Sequence, residues 1–295
     1  HIQLMKTPQQ SQPELAKALG IQELYLKRED LHPYGSHKGR SIPLMIKYYA
    51  KQEGARKFVI SSSGNAALAA ATAAERNNMN NPDRQISLTV FVSTRILEAK
   101  LLPLKALANE SIVIKQVERP KQQALLAAKE EGVINLRQST DEHALEGYTS
   151  LAEELVKIPS LSAVFIPTSS GTTAQALAQY FKDESSTIGV HIAQTSACAP
   201  MASALDPAVP EKTTSSAAGA ICDRVAHRKQ ALVPLLQGGW AITDAEILEA
   251  KHMAQKFAGL ELSANSLLSI AAIKKALHHG ALESSMTIVA VITGA

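Results

Sequence analysis

Lys57-Phe58-Val59-Ile60-Ser61-Ser62-Ser63-Gly64-Asn65-Ala66-Ala67-Leu68 is the stretch that decides the fold. Residues 57–60 are a short apolar run suited to a buried strand, and from residue 64 to 76 small and apolar residues recur at helical spacing. A turn of serines, glycine and asparagine separates the two. The same strand-then-helix step repeats at 87–92 then 96–108, and at 112–117 then 120–132, while 134–136 begins a further unit. A long helical stretch follows at 141–156. Then come 163–166 with 171–181, and 187–193 with another helix after it. Two amphipathic helices, 243–257 and 264–279, lead into the apolar strand 287–292. Strands that alternate with helices predict an α/β fold with parallel sheets and right-handed crossovers.

No Gly/Ser-rich linker divides the chain before residue 200, and 199–216, rich in Pro, Ser, Thr and Ala, reads as an irregular excursion. The short units between about 50 and 145 predict a small lobe, residues 46–149, inserted in a large lobe built from 1–45 and 150–295. Each lobe is expected to be a mostly parallel sheet flanked by helices.

With 295 residues, 45% hydrophobic and 19% charged, the chain is long enough for a large core and two lobes. The net charge of +3, from 30 basic and 27 acidic residues, comes without a basic tract or aromatic stacking motif, so no nucleic-acid partner is expected. The longest apolar stretches, 66–74 and 287–295, fall short of the roughly 20 residues a membrane helix needs, so no membrane span is expected either. Cys198 and Cys222 show neither CxxC nor metal spacing, and no metal site is expected. Without a charged-then-apolar leader the expected compartment is the cytosol, and His1, in place of a Met, predicts a trimmed N-terminus.

Open α/β sheets bind ligands where strands end and helices begin. Three such places are polar. At 61–65, the hydroxyls, Gly64 and free backbone N–H groups suit a carboxylate, and Asn65 can donate to a phenolate-like oxygen. At Thr168-Ser169-Ser170-Gly171-Thr172-Thr173, five hydroxyls and a glycine make an N–H and O–H cradle for a phosphate dianion. Neither GxxxxGK[ST] nor GxGxxG is present. At the end of the last strand, Thr293 places a hydroxyl where it can meet a ring nitrogen. Each of these also reads as an ordinary Ser/Thr helix cap or strand end. Glu146-Gly147 and Glu261 are further candidates, and Arg40 and Arg95 are candidate phosphate contacts or plain surface charges. No GxSxG or HExxH occurs, and His278-His279 reads as favourable charge at a helix C-terminus.

Lys38 stands in Lys27-Arg28-Glu29-Asp30-Leu31-His32-Pro33-Tyr34-Gly35-Ser36-His37-Lys38-Gly39-Arg40, after a Pro/Gly turn and a Ser able to cap a helix, among other cations. That setting favours a neutral, nucleophilic amine able to form a Schiff base. An amine, a phosphate cradle, an Asn-bearing carboxylate loop and a strand-end hydroxyl together match pyridoxal 5′-phosphate. Its aldehyde pairs with Lys38, its phosphate with Ser169, Ser170, Gly171, Thr172 and Thr173, its O3′ with Asn65 and its ring nitrogen with Thr293.

These residues resemble the tryptophan-synthase-β-like superfamily, the fold-type-II pyridoxal-phosphate enzymes, and within it the threonine-synthase and threonine-dehydratase branch. The likeness runs through Thr7-Pro8, Lys27-Arg28-Glu29-Asp30, Lys38, Ser62-Ser63-Gly64-Asn65-Ala66, Lys100, Glu146-Gly147, the 168–173 loop, Thr243-Asp244-Ala245-Glu246-Ile247 and Ile292-Thr293-Gly294. It implies a two-lobe α/β fold with the cofactor on Lys38, and with Ser62, Ser63, Gly64 and Asn65 on the substrate carboxylate. The chain departs from the family's usual PTGSFKDR at His37 and Gly39, has Leu262 after Glu261, and places Pro43 where it is expected to kink a helix. Its phosphate loop has fewer glycines than usual, and it stops at Ala295 without the glycine-rich tail common in threonine synthases.

The implied activity is that of a pyridoxal-phosphate lyase on a hydroxy- or phospho-amino acid, by threonine-synthase-like β,γ-elimination and replacement. A serine/threonine dehydratase, a cysteine-synthase-like β-replacement enzyme and a non-catalytic pyridoxal-phosphate-binding regulatory relative are the alternatives. The implied partner is a small amino-acid substrate, and a homodimer is common in the family.

Overall fold

The computed structural model describes residues 6–205 and 223–294. Among them ten strands follow one another: β1 (Gln9–Ser11), β2 (Glu23–Arg28), β3 (Lys57–Ser61), β4 (Ser87–Ser93), β5 (Ile112–Val117), β6 (Val133–Asn135), β7 (Leu161–Pro167), β8 (Gly189–Thr195), β9 (Gly238–Ile242) and β10 (Thr287–Ile292). They form a six-stranded sheet in the order β1-β2-β10-β7-β8-β9 and a four-stranded sheet in the order β5-β4-β3-β6. Every pairing is parallel except that of β1 with β2. The described residues divide into two compact units. One takes those before Pro33 and those from Tyr148 onward, and the other is Pro33–Gly147.

In the six-stranded unit the inner strands are apolar on both faces because helices cover both. Along β10, Ile288, Ala290 and Ile292 pack with Ala163 and Phe165 of β7 in one cluster, which also takes residues of helices Pro13–Leu19, Asp244–Ala258 and Ala264–His278. The alternate residues Val289 and Val291 join Val164 and Ile166 in the opposite cluster, with helices Thr149–Leu155 and Thr172–Asp183. This is the two-residue period of a strand, read from both sides. In the four-stranded unit Phe58, Ile60, Leu88, Val90 and Val92 share a cluster with Ile42, Met45 and Ile46 of helix Lys38–Gln52 and with the alanines of helix Asn65–Asn80. Val59 and Phe91 point the other way, to Ala124 of helix Pro120–Ala127. No helix among the described residues is long and apolar enough to cross a membrane.

The structure differs from the expectations at definite places. Residues 33–45 group with the four-stranded unit, because Ile42 and Met45 are part of its core. Helix Lys38–Gln52 runs through Pro43. The proline stands near the helix start, so its missing N–H forgoes only the bond to the Gly39 carbonyl. The single helix expected over 141–156 is two, His143–Glu146 and Thr149–Leu155, parted at Gly147-Tyr148. Between β8 and β9 the described chain makes the turn Ala202–Ala204 and the four-residue helix Lys229–Leu232. The rest of the expected excursion, with Cys222, lies outside the described residues. Strands β2 and β9 went unread, since β2 carries Glu23, Lys27 and Arg28 and β9 begins with two glycines.

Gly147 is where two stretches of backbone meet: a Cβ there would lie 2.7 Å from the Arg40 carbonyl oxygen and closer still to Ser41 Cα. Gly147→Ala is therefore expected to destabilise by about 1–3 kcal/mol, read as a lower urea midpoint at unchanged slope.

His191 on β8 is buried, stacked on Phe165 at 4.4 Å between ring centroids, and its Nδ1 accepts from the Trp240 indole N–H at 3.3 Å. Burial lowers its pKa from 6.5 to about 4. The unfolded chain thus takes up this proton first, and stability falls as pH drops from 6.5 toward about 4, then levels. The expected loss is on the order of 3 kcal/mol. Denaturant titrations across that range, compared with His191→Phe, check it: the variant should lose this part of the slope.

Candidate functional site

In the six-stranded unit, β7 ends at Pro167 and helix Thr172–Asp183 begins five residues later. Thr168 N–H donates to the Ala193 carbonyl at 2.8 Å and its hydroxyl to the Ile166 carbonyl at 3.0 Å, which ties the start of the loop to the sheet. Gln194 holds it from β8, donating to the Thr168 carbonyl at 3.4 Å while its own oxygen accepts from the Met201 and Ala202 N–H groups at 3.0 Å each. Gly171 caps the helix in the left-handed conformation, φ 85°. Ser169 and Ser170 are half-buried, Thr172 and Thr173 are buried, and the Ser170 and Thr172 hydroxyls are 2.9 Å apart. The first-turn N–H groups of a helix have no acceptor within it and form its positive end. The loop is thus a set of N–H and O–H donors without a carboxylate, suited to an anion.

Thr293 follows β10 and is buried. β10 and β7 are parallel neighbours with Ala290 opposite Phe165, so Thr293 and Thr168, three residues further along each strand, leave the sheet on the same edge. Beyond Ile292 the chain is held by hydroxyls. Ser263 and Ser266 donate to the Gly294 carbonyl at 2.6 and 2.9 Å, and Gly294 N–H donates back to Ser266 Oγ at 3.3 Å. Ser263 also caps helix Ala264–His278. Between these serines Asn265 keeps a buried side-chain oxygen with no hydrogen-bond partner. A buried acceptor left unmade is costly unless a ligand or water supplies a donor.

In the other unit Lys38 is the first residue of its helix and half-buried, its N–H donating to Ser36 Oγ at 3.3 Å. Among the described residues its ammonium takes no hydrogen bond or ion pair. Ser62, Ser63 and Gly64 form the turn after β3, and Asn65 opens helix Asn65–Asn80. The helix is capped by Gly64 without a side-chain bond, so the serines are not its caps. Ser62 Oγ instead accepts from Gly64 N–H at 3.3 Å. A cleft of about 500 Å³ opens at this strand edge between Ser61, Ser62 and Ser63, the end of β4 at Ser93, and Arg119 and Lys121.

The structure therefore brings Ser169, Ser170, Gly171, Thr172, Thr173 and Thr293 to one edge of the six-stranded sheet. Ser62, Ser63, Gly64 and Asn65 lie on the corresponding edge of the four-stranded sheet, in the same unit as Lys38. Of the other candidates, Arg40 is buried, Arg95 and Glu146 are exposed, and Glu261 accepts from Gln255 at the surface. Cys198 is buried. Gln194, Ser263 and Ser266 were missed. Ser263, just before an apolar helix, had a capping signal, whereas nothing local marks Gln194.

In the six-stranded unit a carboxylate-free anion cradle and a buried hydroxyl on the same sheet edge suit the phosphate and ring nitrogen of pyridoxal 5′-phosphate, and in the other unit Lys38 has no ionic partner among the described residues. Comparison with known proteins agrees. The family profile described as pyridoxal-phosphate dependent enzyme matches residues 3–294. Threonine synthase of Methanocaldococcus jannaschii is 25% identical over 95% of this chain and 72% of its own length. L-serine dehydratase/L-threonine deaminase of Mus musculus is 33% identical over 51% of this chain and 44% of its own, so the chain matches less than half of that relative. In fold, processed threonine deaminase isoform 2 of Solanum lycopersicum superposes with a TM-score of 0.82 at 20% identity, over 99% of this chain and 79% of that one.

A Cβ on Gly171 would force a non-glycine residue to φ 85° and lie 2.9 Å from Leu232 Cδ2. Gly171→Ala is expected to cost about 1–3 kcal/mol of local strain. It should weaken pyridoxal phosphate binding in a fluorescence titration more than it lowers the melting temperature of the cofactor-free protein.

Proposed function

The chain belongs to the pyridoxal-phosphate dependent enzyme family, with pyridoxal 5′-phosphate as its cofactor, and from that premise we propose that it is a lyase acting on a hydroxy- or phospho-amino acid, by threonine-synthase-like elimination and replacement. The observation that carries this reading is the shared sheet edge of the 169–173 loop and Thr293. A neutral hydroxyl, not a carboxylate, stands there for the ring nitrogen. That nitrogen then stays unprotonated, which favours elimination and replacement over amino-group transfer.

When bound, the cofactor supplies an aldehyde for amines and a ring that draws electrons from the substrate α-carbon. In this proposal Lys38 Nζ would hold the cofactor through its aldehyde and would serve as the base for the substrate α-proton. Its lack of an ion pair among the described residues leaves it able to move between these tasks. Ser62, Ser63, Gly64 and Asn65 grip the substrate carboxylate through hydroxyls and first-turn N–H groups, and Asn65 also meets O3′. Ser169, Ser170, Gly171, Thr172 and Thr173 hold the phosphate.

A serine/threonine dehydratase is the second reading, favoured by the 33% identity with the mouse enzyme. In either case Lys38→Ala should abolish the yellow colour that the wild-type protein takes up from pyridoxal phosphate. Persistence of that colour removes Lys38 from its role. Assays of phosphohomoserine, threonine, serine and O-acetylserine for released phosphate, oxoacid or thiol adduct then choose the reaction. Phosphate release from phosphohomoserine is the expected result. Oxoacid from serine or threonine alone selects the dehydratase, and no turnover of any of the four makes the chain a binding relative.

A further inference from the structure

We infer that Ser266, assisted by Ser263, is a positioning residue that sets the Thr293 hydroxyl, an inference that rests on the reading of Thr293 as the ring-nitrogen contact. β10 has sheet neighbours through Ile292, where it pairs with Arg28 of β2, and Gly294 just beyond it is a single bridge residue. Gly294, which follows Thr293, is held at its own N–H and its own carbonyl by one hydroxyl. Ser266 Oγ donates to the Gly294 carbonyl at 2.9 Å and accepts from Gly294 N–H at 3.3 Å. Ser263 Oγ adds a second donor to the same carbonyl at 2.6 Å, and is itself 3.2 Å from Ser266 Oγ. Gly294 has φ 121°, a conformation open to glycine and rarely adopted by other residues, so the serine bonds help to fix where this residue lies. The Gly294 N–H belongs to the Thr293–Gly294 peptide, so its bond to Ser266 holds the backbone of Thr293 from the C-terminal side, while β10 holds it from the other.

Ser269, one turn further along the same helix, is the internal contrast. It is equally buried, but its hydroxyl bonds the Ser266 carbonyl at 2.8 Å and the Val291 carbonyl at 3.3 Å, inside the strand. It stabilises packing without touching the peptide after Thr293.

The test is a double-mutant cycle on the full chain, read as the dissociation constant and absorption spectrum of pyridoxal phosphate. Its variants are Ser266→Ala, Thr293→Val and the two combined, with Ser269→Ala as control. Ser266→Ala alone should weaken binding about tenfold and alter the spectrum, and should have no further effect once Thr293 is Val. Ser269→Ala should leave both readouts unchanged. Equal losses from Ser266→Ala in the Thr and Val backgrounds, or an equal loss from Ser269→Ala, mean a purely structural role and overturn the inference. If Thr293→Val itself leaves binding and spectrum unchanged, the ring-nitrogen reading fails, and the inference with it. Should Ser266→Ala not fold, Ser263→Gly, which keeps an acceptable helix cap and removes one donor to Gly294, carries the same cycle.

Discussion

The six-stranded unit depends on the pairing of Lys27 with Glu154. Lys27 lies on β2 with no exposure to solvent, and its ammonium meets the carboxylate of a helix 127 residues later in the chain. Thr7 completes the arrangement. Its carbonyl accepts from Lys27 at 2.8 Å, its N–H donates to Glu154 at 3.3 Å and its hydroxyl donates to Glu29. Removing one charge from such a buried pair destabilises by about 3–5 kcal/mol, because the other is left in an apolar interior. The buried Leu24 and Leu26 already set the register of β2 against β10. The buried ion pair, with Thr7 backbone groups on both partners, ties that strand to the helix as well.

On that scaffold the anion-binding loop after β7 and the end of β10 offer hydroxyls and backbone N–H groups rather than charges. The 168–173 loop and the end of β10 leave a parallel sheet at neighbouring positions, and a parallel sheet makes this economical because every strand then turns into a helix start on the same edge. Neutral donors hold an anion or a ring nitrogen without adding a charge that must itself be desolvated. The second unit repeats the plan after β3, and its lysine heads a helix whose Ile42, Met45 and Ile46 sit in the same apolar cluster as the alanine-rich helix that starts at Asn65.

Much of this was legible in the sequence because parallel strands buried on two faces read as unbroken apolar runs. β10 occupies the span the periodicity marks, and each hydroxyl-rich turn lies where a strand gives way. What escaped is what periodicity does not encode. β2 hides its Leu24 and Leu26 alternation behind charges that are neutralised only in the fold, as Arg28 is by Asp30 at 2.7 Å. The break at Gly147 reflects the approach of residues 40 and 41, more than a hundred positions earlier. The hold of Ser263 and Ser266 on Gly294 is likewise a contact across about thirty residues, and no local pattern announces it.

The position of β10 bears on how the chain comes to be folded. It lies between β2 and β7, in the middle of the six-stranded sheet, although it is the last strand in order. Until residues 287–292 have been synthesised, β2 and β7 each present an open, apolar edge with unpaired backbone groups. Such edges invite pairing with other chains. The ion pair between Lys27 and Glu154 joins residues made well before that moment, so it is able to hold β2 in place while the slot beside it waits to be filled.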